Sequence, residues 1–274
     1  MAGQIKPPFA YYGGKTTLAP RIAELLPAHD HYVEPFAGSL AVLLAKEPVG
    51  WETVNDLDGD LVNFWKVLRD QPEELERVAM LTPHAREEYE SSKELRGDDL
   101  ERARRVWVRL TQGRSMSMKP TGWKAGKKMK GVEVSRAGYQ AAFAQRMGSA
   151  AERIRRVSIE NRDAIELVRD YGTEPTVCIY ADPPYLGSTR ASNYRHEMLE
   201  DELHVKLAEA LRECKAAVVL SGYASPLYEE LYPGWHRMEL KAPTAMSGRA
   251  AENEVLWSNV PLGIQQAFDF GEAS

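Results

Sequence analysis

Short apolar runs that end on an acid or a glycine alternate along this chain with stretches of helical periodicity. His31-Tyr32-Val33-Glu34 leads through Pro35-Phe36-Ala37-Gly38 into a helical run over 40–46. Residues 51–54 lead into Asn55-Asp56-Leu57-Asp58 and a helical run over 59–68. Further strands are expected at 157–160, 177–181, 216–221, 235–241 and 253–259, because these short runs are rich in β-branched and aromatic residues and bounded by turn residues. Helical periodicity covers 72–110, with breaks at Thr82-Pro83 and Gly97-Asp98, and returns over 136–155, 200–214 and 226–231. Between them, residues 112–131 lose all periodicity, as a long loop would. Asp58 is placed to cap the helix that follows it, which leaves Asp56 open for a ligand.

Strand and helix alternate on both sides of the helical block. The pattern predicts an α/β fold with a Rossmann-like sheet, mostly parallel with a C-terminal antiparallel strand, carrying a mainly helical insertion. Residues 1–70 and 156–274 then form the sheet domain, and 71–155 the helical insertion. The 274 residues suffice for a substantial core. No apolar run reaches the ~18 residues of a membrane span and no signal peptide opens the chain, so a cytoplasmic location and no membrane partner are expected. Cys178 and Cys214 are too few for a disulfide framework, and the six histidines lack metal-ligand spacing. No metal is expected.

Charge changes the picture of the insertion. Residues 101–156 hold fifteen Lys/Arg and three acids, a net +12, whereas the rest of the chain holds twenty and thirty-seven, a net −17. A one-sign block in an acidic chain points to a polyanion. The loop over 112–131 mixes glycine, hydroxyls, cations and Trp123, as a phosphate-contacting loop does. Candidate contacts to such a phosphate backbone are Arg109, Arg114, Lys119, Trp123, Lys124, Lys127, Lys128 and Lys130. Asn193 and Tyr194, in a polar loop, join them.

The strand ends carry the candidate chemistry. Asp182-Pro183-Pro184-Tyr185 closes the strand at 177–181 with a carboxylate, two residues lacking an N–H and a ring. Ligands of open α/β sheets sit at that edge. Gly13-Gly14-Lys15-Thr16 lacks the earlier glycine of a phosphate loop, since Phe9 stands there, and the turn at 34–38 lacks the full dinucleotide pattern.

Tyr11-Tyr12-Gly13-Gly14-Lys15, Glu34-Pro35-Phe36-Ala37-Gly38, Asn55-Asp56 and Asp182-Pro183-Pro184-Tyr185, in this order and with the basic insertion after the second strand, resemble the Dam-like group of DNA adenine-N6 methyltransferases. The resemblance covers nearly the whole chain. It implies methyl transfer from S-adenosyl-L-methionine, leaving S-adenosyl-L-homocysteine, to N6 of an adenine flipped out of double-stranded DNA at a specific site. Such enzymes serve restriction-modification or phage DNA modification. It implies cofactor contacts from Tyr11 to Lys15 and from Glu34 to Gly38. Asp56 would hold the ribose, Asp163 with Ala164 would lie near the cofactor adenine, and Asp182 would border both cofactor and target. Asp182 to Tyr185 would hold the target base, with Tyr185 stacked on it. The expected state is a monomer, with a transient dimer on DNA as the alternative. Three departures stand out: Tyr11-Tyr12 replaces Trp-Ala, Leu40 replaces a second glycine of the turn, and Gln112-Gly113-Arg114-Ser115 does not carry over GATC specificity. Competing readings are another planar amino group (cytosine-N4, RNA or a protein amide) and a catalytically silent DNA-binding relative. Cytosine-C5 chemistry would need a Pro-Cys pair, which the sequence lacks.

Overall fold

The structure is a computed structural model, and it describes residues 4–126, 135–185, 198, 201–241 and 253–263. Seven strands form one sheet: β1 (His31–Glu34), β2 (Trp51–Asn55), β3 (Ser158–Glu160), β4 (Val177–Ala181), β5 (Ala217–Gly222), β6 (His236–Leu240) and β7 (Glu254–Ser258). Their order is β3-β2-β1-β4-β5-β7-β6. The first five run parallel, and β7 lies antiparallel between β5 and β6. This is the Rossmann-like sheet expected, with the reversed strand inserted rather than at the edge.

Helices cover both faces of the sheet at its centre, so β4 and most of β5 are continuous apolar runs, whereas the outer strands β3 and β6 keep polar, partly exposed residues. Every residue of β4 is buried. Successive side chains point to opposite faces. Tyr32, Cys178 and Tyr180 therefore enter one core, whereas Val33, Val177, Ile179 and Ala181 enter the other. Helices α9 (Ala164–Tyr171), α10 (Asp201–Arg212) and α11 (Pro226–Leu231) cover the second face.

The first face is covered by α1 (Ala19–Leu25), α2 (Ala41–Ala45) and α3 (Gly59–Asp70), together with the insertion. The insertion contains α4 (Pro72–Leu81), α5 (Arg86–Ser91), α6 (Asp99–Gln112), α7 (Arg136–Ala144) and α8 (Met147–Ile154). Asp58 caps α3 by accepting from the amides of Asp60 and Leu61, and Asp98 caps α6 by accepting from that of Glu101. Buried Phe64, Trp65, Trp107, Phe143 and Ile154 belong to the same cluster as Tyr32 and Tyr180 of the sheet. The insertion thus shares the core of the sheet. The indole of Trp107 also donates to the Pro8 carbonyl at 2.9 Å.

Two expectations change. The helix expected over 136–155 is broken at Gln145-Arg146, where Arg146 turns back to donate to the Pro7 carbonyl and lies over the Phe143 ring. The loop expected to be structureless from 112 is ordered through 126. Gly113 and Trp123 form an antiparallel bridge, and the Tyr89 hydroxyl accepts from the amides of Thr121 and Gly122 at 2.9 Å.

Candidate functional site

The chain leaves β1 for one side of the sheet and β4 for the other. The carboxyl ends of these neighbouring strands therefore flank the point where strand order reverses, the place where an open α/β sheet forms a crevice. A cavity of about 230 Å³ opens there. Its wall includes Tyr11, Tyr12, Gly13, Gly14 and Lys15 from the segment before α1, and Glu34, Pro35, Phe36, Ala37 and Gly38 from the turn after β1. Asp56 reaches it from the end of β2, Asp163 and Ala164 from the start of α9, and Asp182 and Pro184 from the end of β4. Ser39, Tyr180, Met198 and Leu203 also line it. No motif in the sequence marks these four.

The turn after β1 is tightly built. Gly38 has φ +47°, and a Cβ there would lie 3.3 Å from the Tyr11 ring, so glycine suits both the backbone and the space. Leu40, where the related pattern has glycine, also adopts a left-handed conformation at φ 53° and is fully buried. A non-glycine residue there carries a cost of roughly 1–2 kcal/mol; burial of the Leu40 side chain offsets it. Asp56 ties this turn to β2. Its carboxylate accepts from the Gly38 amide at 3.0 Å and the Asp58 amide at 2.9 Å. Asp163 caps α9 through the amides of Ile165 and Glu166.

At the other end of the cavity, Lys15 and Asp182 form a partly buried pair. The Lys15 ammonium donates to both Asp182 oxygens at 2.7 and 2.8 Å, to the Gly13 carbonyl at 3.1 Å and to the Tyr185 hydroxyl. Its three N–H groups are directed at this cluster. Burial pushes the Asp182 carboxyl up to about 6, with Lys15 opposing the shift and Glu254 adding to it. The Lys15 ammonium favours the ionised form of Asp182 against that shift. Burial likewise pushes Glu34 up to about 8, so that side chain is neutral at pH 7 beside the Tyr32 hydroxyl, 3.0 Å away.

Tyr185 departs from its expected role. It is 6% exposed, and its hydroxyl donates to Glu254 at 2.7 Å. Its ring lies 4.5 Å from that of Tyr223. The Lys15 ammonium also lies over the ring, 4.9 Å from its centre; Pro184 is the residue of that turn on the cavity wall beside Asp182. Pro183 is buried. Cys178, with a thiol pushed up to about 12 by burial, is no nucleophile.

The basic insertion is less cationic on its surface than its sequence suggests. Arg102 pairs with Asp60, Arg104 with Glu88 and Glu101, Arg105 with Glu101, and Arg153 with Glu52. Arg109 is corrected outright as a DNA contact. It is 2% exposed, and its guanidinium donates to the carbonyls of Met118, at 2.9 Å, and Ser92. A buried arginine needs such partners; these carbonyls hold the start of the ordered loop. Trp123 is also engaged. Its ring lies between His84, at 5.1 Å, and the Arg86 guanidinium, at 4.8 Å, while its indole donates to Gln112. Arg114 is exposed, and Lys119 and Lys124 are partly so. Lys127, Lys128, Lys130, Asn193 and Tyr194 lie outside the described residues. The loop meets the cavity wall where the Tyr12 amide donates to the Met116 carbonyl at 2.8 Å.

Among the described residues, no group of three or more His, Cys, Asp or Glu could hold a metal ion, and no helix is long and apolar enough to cross a membrane.

Comparison with known proteins gives this geometry a family. The chain is 26% identical over 289 residues to the Type II methyltransferase M1.LlaDCHI of Lactococcus lactis subsp. cremoris, covering 93% of this chain and 95% of that protein. Among solved structures, a precorrin 8w decarboxylase from Methanobacterium thermoautotrophicum aligns over 92% of this chain and 96% of its own, with TM-score 0.40 and 9% identity. A methyltransferase from Geobacter sulfurreducens aligns over 92% and 79%, with TM-score 0.39 and 10% identity. The family model for D12 class N6 adenine-specific DNA methyltransferases matches residues 11–246, and the chain belongs to that family.

Proposed function

We propose that this enzyme methylates N6 of an adenine turned out of double-stranded DNA at a defined sequence, with Asp182 as the acceptor that prepares the amine. Membership of the family makes it an adenine-specific DNA methyltransferase that uses S-adenosylmethionine. The observation that carries the finer reading is the Asp182 carboxylate on the cavity wall at the end of β4, held through both oxygens by the Lys15 ammonium.

The cavity suits such a cofactor. Phe36, Val42, Ile165 and Leu203 supply apolar wall for an adenosine, and acids stand at both ends for hydroxyls and a cationic centre. When bound, S-adenosylmethionine supplies a methyl group activated on a sulfonium. The chain's own part is positioning and electrostatics. An exocyclic amine on adenine is a weak nucleophile, because its lone pair is conjugated into the ring. Asp182 and the Pro183 carbonyl would accept its two N–H bonds, which favours a tetrahedral nitrogen with its lone pair free to react. Turning the base out of the duplex costs a few kcal/mol. Arg114, Lys119 and Lys124 would meet the phosphates. The division of labour between a cofactor-binding sheet, 1–70 with 156–274, and a DNA-recognising insertion, 71–155, belongs to the same proposal.

Incubation with isotopically labelled S-adenosylmethionine and mixed-sequence duplex DNA, followed by nucleoside mass spectrometry, tests the reading. N6-methyladenine at one recurrent sequence is expected, with DNA binding that weakens as salt rises. Label in cytosine, in RNA only, or at random adenines overturns it.

Asp56 would accept the ribose hydroxyls, since each carboxylate oxygen can take more than one hydrogen bond. Hydrogen bonds to a charged group contribute roughly 1.5–3 kcal/mol, so Asp56→Ala is expected to weaken cofactor binding by about 10–100-fold in calorimetry. Because Asp56 also holds the Gly38 amide, the comparison includes a cofactor analogue lacking a ribose hydroxyl. Wild type discriminates against the analogue, and the variant does not. Equal discrimination by both proteins refutes the ribose role.

A further inference from the structure

Behind Asp182, on the side away from the cavity, lies a second carboxylate. Glu254 opens β7 and is 5% exposed. It has no place in the cavity wall. Its Oε1 accepts from the Tyr185 hydroxyl and from the Ser221 hydroxyl of β5, both at 2.7 Å, and lies 3.7 Å from the Lys15 ammonium. One cation thus stands between a buried carboxylate and one that borders the cavity. A glutamine at 254 would accept from the same two hydroxyls without the cost of burying a charge. What only a charged side chain can do there is act on Lys15 and, across it, on Asp182.

We propose that Glu254 is a positioning residue for methyl transfer: across Lys15 and Tyr185 it holds the Asp182 carboxylate in place and sets its charge. The proposal rests on the reading of Asp182 given under Proposed function. Three hydrogen-bonded links join the two acids, from Asp182 to Lys15, from Lys15 to Tyr185 and from Tyr185 to Glu254. Lys15 comes from the segment before α1. Glu34, at the end of β1, is neutral at pH 7 because burial holds its proton. The phenols of Tyr180 on β4, Tyr185 after it and Tyr228 on α11 are pushed well above their ordinary range by burial. Among the described residues, the other close groups are Ser221 and Tyr223 of the β5 segment. Loss of the Glu254 charge therefore leaves Lys15 to Asp182 alone and makes the Asp182 carboxylate easier to ionise.

The test reads both charge and rate. Carbon-13 labelling of the aspartates allows Asp182 to be titrated by NMR in the cofactor-free protein, and single-turnover methylation of DNA is followed against pH. Removing one close like charge moves a carboxyl by about one pH unit. In Glu254→Gln the Asp182 midpoint and the acid limb of the rate profile are both expected to move down by that amount. Glu254→Ala also strips the acceptor from two buried hydroxyls, and the loss of such a supporting partner typically lowers turnover by about 10–100-fold. Glu254→Gln is expected to recover most of that loss above the acid limb. An Asp182 midpoint that stays put in Glu254→Gln overturns the proposal, as does a glutamine variant no faster than the alanine variant. The NMR titration needs no methyl transfer, so a wild-type protein inactive on DNA would count against the proposed function and still leave the titration to decide this inference.

Discussion

Asp182→Asn is expected to lower single-turnover methylation by about 10²–10³-fold, the loss seen when one preorganised group that stabilises developing charge is removed. The amide keeps the shape of the carboxylate and one oxygen for Lys15. It removes the charge that draws on the substrate N–H and turns one acceptor into a donor. Asp182→Ala is the poorer probe. Lys15 is 6% exposed and, among the described residues, would keep Glu254, 3.7 Å away, as its one acid, beside the neutral Gly13 carbonyl and Tyr185 hydroxyl. Deleting one partner of a buried ion pair typically costs about 3–5 kcal/mol, so a dead alanine variant could simply be unfolded. Urea denaturation separates the two effects: the asparagine variant is expected to stay folded at the assay temperature while turnover collapses. Turnover within tenfold of wild type would remove Asp182 from its proposed role.

The placement of this acid was legible in the sequence because punctuation marks it. An apolar run broken by Asp-Pro-Pro can only be a strand end, and the acids at Glu34, Asp56 and Asp182 end three neighbouring parallel strands. Glu254 has no such mark. It begins an ordinary strand, and only the antiparallel insertion of β7 beside β5 brings it to Ser221 and Tyr185. The loop from Gln112 misled for a different reason. Its glycines, serines and threonines carry no periodicity, yet Tyr89, on a different helix, supplies the partner that orders two of its amides. The charge count misled in a third way. Arginines that read as a face for phosphate are in large part turned onto acids or carbonyls of the chain itself, which composition cannot register.

The largest stability effect outside the cavity is expected at Glu52. Alternation along β2 would tempt a reader to bury Trp51 and expose Glu52, but Trp51 is 71% exposed and Glu52 is buried. Two cations make this possible. The Lys46 ammonium, at the end of α2, donates to Glu52 at 2.7 Å, and the Arg153 guanidinium, on α8, grips both of its oxygens at 2.5 and 2.8 Å. Burial works to raise the Glu52 carboxyl, but Arg153 and Lys46 outweigh it and hold it below its ordinary value. The stability this contributes is present above the unfolded value and is lost as pH falls through the lower folded one. Glu52→Ala leaves two buried cations without their anion and is expected to cost about 3–5 kcal/mol in urea denaturation at neutral pH. The wild-type advantage should shrink as the solution is acidified. Replacing all three groups together with apolar residues of similar volume is expected to restore most of the loss, because the penalty lies in the stranded charges rather than in a missing contact. The triad joins β2 to α8, so it also fastens the insertion to the sheet four residues before Asp56 on the same strand segment. A loss below about 1 kcal/mol, the range of an exposed pair, would show that the triad is solvated and that the apolar core alone joins the insertion to the sheet.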